Sequence, residues 1–124
     1  SLPGNASTYH VLSRERIALL SENAVVLNVG RGTAIDTDAL ADALYTGKIA
    51  GAALNVTDPE PLPADHPLWD APRTIITPHS AGKFHLRETF ERIVRITGEN
   101  LEKYLAREKE EMRNQVNVKT GNRK

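Results

Sequence analysis

Cysteine is absent from the 124 residues. A disulfide framework, a thiolate metal site and a cysteine nucleophile are excluded with it. Net charge is absent too, since sixteen Lys and Arg balance sixteen Asp and Glu. No global field then draws the chain to nucleic acid or an anionic membrane, and neither is expected as a partner. No apolar run nears the ~20 residues that cross a bilayer, and no basic-then-apolar leader opens the sequence. The resulting expectation is a cytoplasmic protein. Methionine occurs once, at Met112, and Ser1 stands first, so a piece of a longer chain is expected. What is present, 40% hydrophobic and 26% charged residues, is the usage of an ordinary folded domain.

The order of local patterns predicts helix, strand, helix, strand, long loop, strand, helix. Pro3, Gly4, Asn5, Ser7 and Thr8 make the first dozen residues a loop. Ser13 is placed to cap a helix over 14–20, with Ile17, Leu19 and Leu20 available for burial. Residues 24–29 are almost all apolar and rich in β-branched side chains, the pattern of a strand covered on both faces. Asp36 or Thr37 caps a second helix running to Thr46, with Leu40, Ala43 and Leu44 on one side and Gly47 as its αL stop. A second strand spans 49–56, where alanine and glycine imply close approach of another backbone or a ligand. Pro59, Pro61, Pro63, Pro67 and Pro72 exclude regular structure over 58–72, with Leu68 and Trp69 as its anchors to the core. A third strand covers 74–77 and stops at Pro78. A long helix is expected over 84–112, carrying Leu86, Phe90, Ile93, Ile96, Leu101, Tyr104 and Leu105 at helical spacing and weakened by Gly98. The charge run 107–113 reads as solvated helix, 115–118 as a short strand and 120–124 as a frayed tail.

Alternation of this kind implies βαβ units and a parallel α/β sheet. A strand apolar on both faces belongs inside a sheet, yet the chain offers nothing to lie beside 24–29. The expectation is the second half of a doubly wound domain.

Ligands of open α/β sheets bind at the carboxyl ends of the strands. Arg31, Glu60 and His79 each follow one of the three strands, so the topology gathers them on one rim. Arg31, between Gly30 and Gly32, can clamp a carboxylate through two parallel hydrogen bonds, although a surface arginine in a turn is the commoner role. His79, between Pro78 and Ser80, suits proton transfer near neutral pH; alone it would more often be a turn or capping histidine. Glu60 lies between Pro59 and Pro61, which restrict where its carboxylate points. Beside an imidazole it favours the imidazolium form, although most loop glutamates are simply exposed and Asp58 is a less constrained competitor. His66 reads as structural, and His10 and His85 have no informative flanks. Glycoside cleavage by Asp58 and Glu60 is a poor rival, because two loop residues so close in sequence have no fixed separation. No metal is expected, since no histidine pair has ligand spacing. A carboxylate clamp and a supported acid/base suit reduction of a 2-keto acid to a 2-hydroxy acid, with hydride from a cofactor.

The stretches LPGNASTYHVL at 2–12, AVVLNVGRGTAIDTDALADAL at 24–44, GKIAGAALNVTDPEPLPADHPLW at 47–69 and TIITPHSAG at 74–82 resemble the C-terminal part of the D-isomer-specific 2-hydroxyacid dehydrogenases, the phosphoglycerate, hydroxypyruvate and glyoxylate reductase-like enzymes. The resemblance implies the C-terminal half of a Rossmann-type doubly wound parallel sheet, ending in a long helix. It implies a partial NAD-binding domain over 1–112 and a segment, 113–124, that returns toward an absent substrate domain. It makes Arg31 the substrate-carboxylate arginine, His79 the acid/base and Glu60 its partner. It places Val29, Gly30, Arg31, His79, Ser80, Ala81, Gly82 and, on a neighbouring loop, Pro3 along NAD, with NADP also open. The family usually has aspartate where this chain has Asn55, a position near the nicotinamide carboxamide. Asparagine there keeps an acceptor but not the charge. The G-x-G-x-x-G turn that holds a pyrophosphate does not occur in the sequence. The resemblance further implies a small 2-keto or 2-hydroxy acid as substrate, a homodimer for the longer parent, and an isolated chain without turnover. Two rivals are an NAD-sensing corepressor or binding module of the same superfamily, and a piece that serves assembly alone.

Overall fold

Three short β-rich runs separated by capped helical segments can bury their apolar residues only by stacking strands side by side. The computed structural model of the chain, which describes residues 2–82 and 86–122, shows this arrangement. Strands β1 (Val25–Asn28), β2 (Gly51–Leu54) and β3 (Thr74–Ile76) form one parallel sheet in the order β1-β2-β3. The register pairs Leu27 with Ala53 and Ala53 with Ile75. Helix α1 (Arg14–Ala18) precedes β1, and α2 (Thr37–Tyr45) is the crossover from β1 to β2. The fold is the α/β fold read from the sequence, with a long helix, α3 (Arg87–Leu105), near its end. The chain divides into two compact units, Ser1–Gly82 and Lys83–Lys124.

In the first unit, Leu40 and Leu44 of α2, Ile49 and Leu68 are completely enclosed, and Ile17, Val26, Ala52 and Leu54 complete the core around them. Asp36 caps α2 by accepting a hydrogen bond from the Ala39 N–H, which satisfies one of the orphan donors of the first turn. Gly47 takes φ +69° after the helix, a left-handed conformation that a side chain disfavours. The small residues of β2 permit close approach of a neighbouring backbone, since a Cβ on Gly51 would lie 2.7 Å from the Arg73 carbonyl oxygen. Leu44→Ala is expected to lower stability by about 2–5 kcal/mol, read as a fall in the urea midpoint; an unchanged midpoint would mean that α2 does not hold the core.

Several expectations are corrected. Strand β1 is not covered on both faces: Val26 and Asn28 are buried, whereas Val25, Leu27 and Val29 are exposed. Among the described residues β1 is the edge of the sheet, and the neighbour that its apolar sequence calls for is not among them. Ser13 occupies the cap of α1 without capping it, because its hydroxyl donates to the nearby Glu15 carboxylate at 2.6 Å. Charge-assisted bonds outcompete the neutral cap, and the hydroxyl holds Glu15 below the usual carboxylate range. Helix α1 stops at Ala18 and leaves Leu19 exposed. The proline-rich loop contains one short 3₁₀ turn, Pro67–Asp70, which His66 caps by accepting from the Leu68 N–H while its Nε2 lies 3.2 Å from Asp38. Leu68 anchors this loop, but Trp69 stays half-exposed, its indole N–H donating to the Pro63 carbonyl.

The second unit is α3 and a short 3₁₀ turn, Lys109–Glu111. Helix α3 is shorter than the expected 84–112, and Phe84 and His85 lie outside the described residues. Gly98 is accommodated within it. None of its residues is buried. Arg113 folds back and donates to Glu99 at 2.8 Å, which holds that carboxyl below its ordinary range. Among the described residues the strand expected at 115–118 is not present: 118–120 is a turn in which the Asn117 carbonyl accepts from Thr120 and Gly121. The end of the tail, 123–124, lies outside the described residues. No helix among the described residues is long and apolar enough to cross a membrane.

Candidate active site

The carboxyl end of the sheet is built by the turns that follow the strands. After β1 the chain passes through Val29 and Gly30 to Arg31, which precedes a single 3₁₀ turn, Gly32–Ala34. Gly32 is required by packing rather than by a positive φ. A Cβ there would lie 1.8 Å from the Thr57 carbonyl oxygen, so the Arg31 turn and the loop after β2 are in backbone contact. The neighbour that Gly32 approaches is another loop, Thr57–Asp58.

The Arg31 guanidinium donates to the Gly30 carbonyl at 2.9 Å, and its alkyl stem packs beneath Gly4, where an added Cβ would stand 3.2 Å from it. This places Arg31 on the wall of an open cavity of about 610 Å³ with Gly4, Asn5, Ala6, Tyr9 and Thr33. Pro3 enters the same loop, its carbonyl accepting from the Thr8 hydroxyl at 2.5 Å.

His79 and Glu60 are brought together. The imidazole Nδ1 lies 2.8 Å from Glu60 Oε1, and both side chains are about half-exposed, at 49% and 40%. A carboxylate only accepts, so the Nδ1 must carry the proton and Nε2 is the nitrogen left for exchange. His79 has φ +46°, a strained conformation for a residue with a side chain. It is held there by its own N–H, which lies within hydrogen-bond range of the Asn55 and Thr77 carbonyls. An apolar pocket of about 270 Å³, lined in part by Leu62, Trp69 and Ile76, lies beside the pair.

Asn55 is buried at the end of β2. Its Nδ2 donates to the Thr77 hydroxyl at 2.7 Å, and its Oδ1 accepts from the Ala81 N–H at 3.0 Å. The Asn55 amide, expected from the resemblance to lie near the cofactor, ties the segment from Thr77 through His79 to Ala81 to the end of β2. Sequence reasoning missed Asn28, its counterpart on β1, which is buried and bonded to both Gly30 and Arg31. A polar residue in an otherwise apolar strand, just before a turn, was the available signal. His10, which has no telling flank, stacks on Tyr9 and lies 3.9 Å from Asp58.

Residues 1–81 match the model of the D-isomer specific 2-hydroxyacid dehydrogenase, NAD binding domain. The chain belongs to the D-isomer-specific 2-hydroxyacid dehydrogenase family. It is 47% identical to an uncharacterized protein of the proB 3′ region of Corynebacterium melassecola over 97% of its own length and 38% of the relative's. It is 42% identical to glyoxylate/hydroxypyruvate reductase B of Pectobacterium carotovorum over 68% of its own length and 27% of that enzyme's. An acyclic imino acid reductase solved with NADPH and D-Arg superposes with a TM-score of 0.75 at 32% identity, covering 86% of this chain and 33% of that one. The chain therefore spans roughly a third of the length of these relatives. The Rossmann-type fold expected from the resemblance is the fold of the dehydrogenase family to which the chain belongs.

The matched domain is an NAD binding domain, a relative was solved with NADPH, and the rim has space for one end of such a dinucleotide. The cavity beside Arg31 has room for a planar ring, and the turns after β1 and β3 bring backbone to the rim. The glycine-rich pyrophosphate turn is not in this sequence.

Proposed function

We propose that this chain is the C-terminal part of an NAD(P)-dependent oxidoreductase that interconverts a 2-keto acid and a D-2-hydroxy acid. Residues 1–112 belong to its dinucleotide-binding domain, and 113–124 run toward its substrate domain. The observation that carries the reading is the 2.8 Å contact between His79 and Glu60 on a sheet rim that also presents Arg31. The bound nicotinamide supplies the hydride. Arg31 releases the Gly30 carbonyl and takes the substrate carboxylate through its two parallel N–H groups. His79 gives a proton from Nε2 to the carbonyl oxygen as that oxygen gains charge, while Glu60 holds the ring and offsets its positive charge. In the reverse direction the neutral imidazole accepts the hydroxyl proton. Val29, Gly30, Ser80, Ala81 and Gly82 border the nicotinamide, and Pro3 lies along the cofactor from the neighbouring loop.

The test is reduction of glyoxylate, hydroxypyruvate and pyruvate by the longer protein that carries this segment, followed by NADH or NADPH absorbance. Turnover with at least one acid supports the reading. Cofactor binding without turnover on any of them sinks it in favour of a binding module. Arg31→Ala is expected to raise KM for the keto acid by roughly 10- to 100-fold, the worth of one charged hydrogen-bonding partner, with a smaller change in kcat. A KM within twofold of the parent would remove Arg31 from the carboxylate site.

A further inference from the structure

Two buried asparagines stand at adjacent strand ends, and their bonds form one continuous chain across the rim. The Asn28 Nδ2 donates to the Arg31 carbonyl at 2.9 Å, and its Oδ1 accepts from the Gly30 N–H at 3.0 Å. The Asn28 carbonyl accepts from the Asn55 N–H at 2.8 Å, and the Asn55 carbonyl from the His79 N–H at 3.0 Å. The Asn55 side chain then bridges Thr77 and Ala81, on either side of His79. Both residues are more than nine-tenths buried, so each bond replaces water that cannot enter, and an unmet partner would carry the full desolvation cost.

We propose that Asn28 and Asn55 are paired positioning residues, one setting the Arg31 turn and the other the His79 turn, with the backbone bonds between them fixing the two turns relative to each other. This rests on the function proposed above. The two sites differ in chemistry. Asn28 must donate to a carbonyl, which a carboxylate cannot do. Asn55 donates to a hydroxyl, which can rotate and donate in return, so aspartate is tolerated at 55 and not at 28.

The experiment pairs kinetics of the longer protein with amide hydrogen exchange of this chain. Asn28→Ala and Asn28→Asp are expected to raise KM for the keto acid about tenfold or more with little change in kcat. Asn55→Ala is expected to lower kcat by up to about 100-fold with little change in KM, the cost of about 1 Å of misplacement at a reacting group. Asn55→Asp restores most of that loss. In the exchange experiment the Gly30 N–H loses protection in Asn28→Ala, and the Ala81 N–H in Asn55→Ala but not in Asn55→Asp. Equal damage to KM and kcat at both positions, or no rescue by Asn55→Asp, overturns the proposal. Should the parent show no turnover at all, the proposed function fails while exchange still decides the pair: protection retained in both alanine variants overturns it, and its selective loss upholds it. The aspartate variants keep size and shape, so they serve if an alanine variant does not fold.

Discussion

His79→Ala in the longer protein is expected to lower kcat for keto-acid reduction by roughly 100- to 10,000-fold, with KM little changed. That corresponds to about 3–5 kcal/mol of lost transition-state stabilisation. The size follows from the geometry. Glu60 occupies Nδ1 at 2.8 Å, so the ring orientation is set and Nε2 is the only nitrogen left to exchange a proton with substrate. Removing the ring leaves water as the acid, with no fixed position. Glu60→Gln separates the two parts of Glu60's role: it keeps a hydrogen-bonding side chain but removes the charge that offsets the imidazolium. Its kcat is expected to fall less than that of His79→Ala. A His79→Ala enzyme with the parent kcat would end the assignment, since no other histidine touches Glu60 among the described residues.

Gly32→Ala is expected to unfold or severely destabilise the chain, by at least about 3 kcal/mol, the upper end of what overpacking ordinarily costs. The new methyl would stand 1.8 Å from the Thr57 carbonyl oxygen, with the Thr57 carbon at 2.1 Å and the Asp58 nitrogen at 2.9 Å. These atoms are backbone, so no rotamer change relieves the clash. Either the Arg31 turn or the loop carrying Glu60 must move as a whole. Gly98→Ala is the control, because nothing lies within 4 Å of its added methyl and alanine is favoured in a helix interior by roughly 1 kcal/mol. Urea unfolding of the three chains should show a large fall in midpoint for Gly32→Ala and none for Gly98→Ala. A Gly32→Ala chain as stable as the parent would mean that the two loops are not in contact in solution.

Much of this was legible in the amino acids. The spacing of Leu40, Ala43 and Leu44 placed a buried face on α2, bounded by Asp36 or Thr37 and by Gly47; in the structure Asp36 is the cap. Arg31, Glu60 and His79 could be placed near one rim because a parallel sheet brings all its carboxyl ends to one edge. The failures have different causes. Whether Val25 and Leu27 are covered depends on what lies beside β1, which local pattern does not record. Ser13 was misread because Glu15 competes for its hydroxyl, and Trp69 because its indole found the Pro63 carbonyl at the surface.

Local propensity and periodicity therefore determined the order of elements, the cap of α2 and the residue types available for chemistry, since these depend on neighbours within a few positions. Only the tertiary structure decided that Gly32 must lie against Thr57, that Glu60 meets His79, and that Asn28 and Asn55 join the two turns. Those contacts link residues far apart in sequence. Their distances are set by strand register and backbone packing, which no local window of the sequence contains.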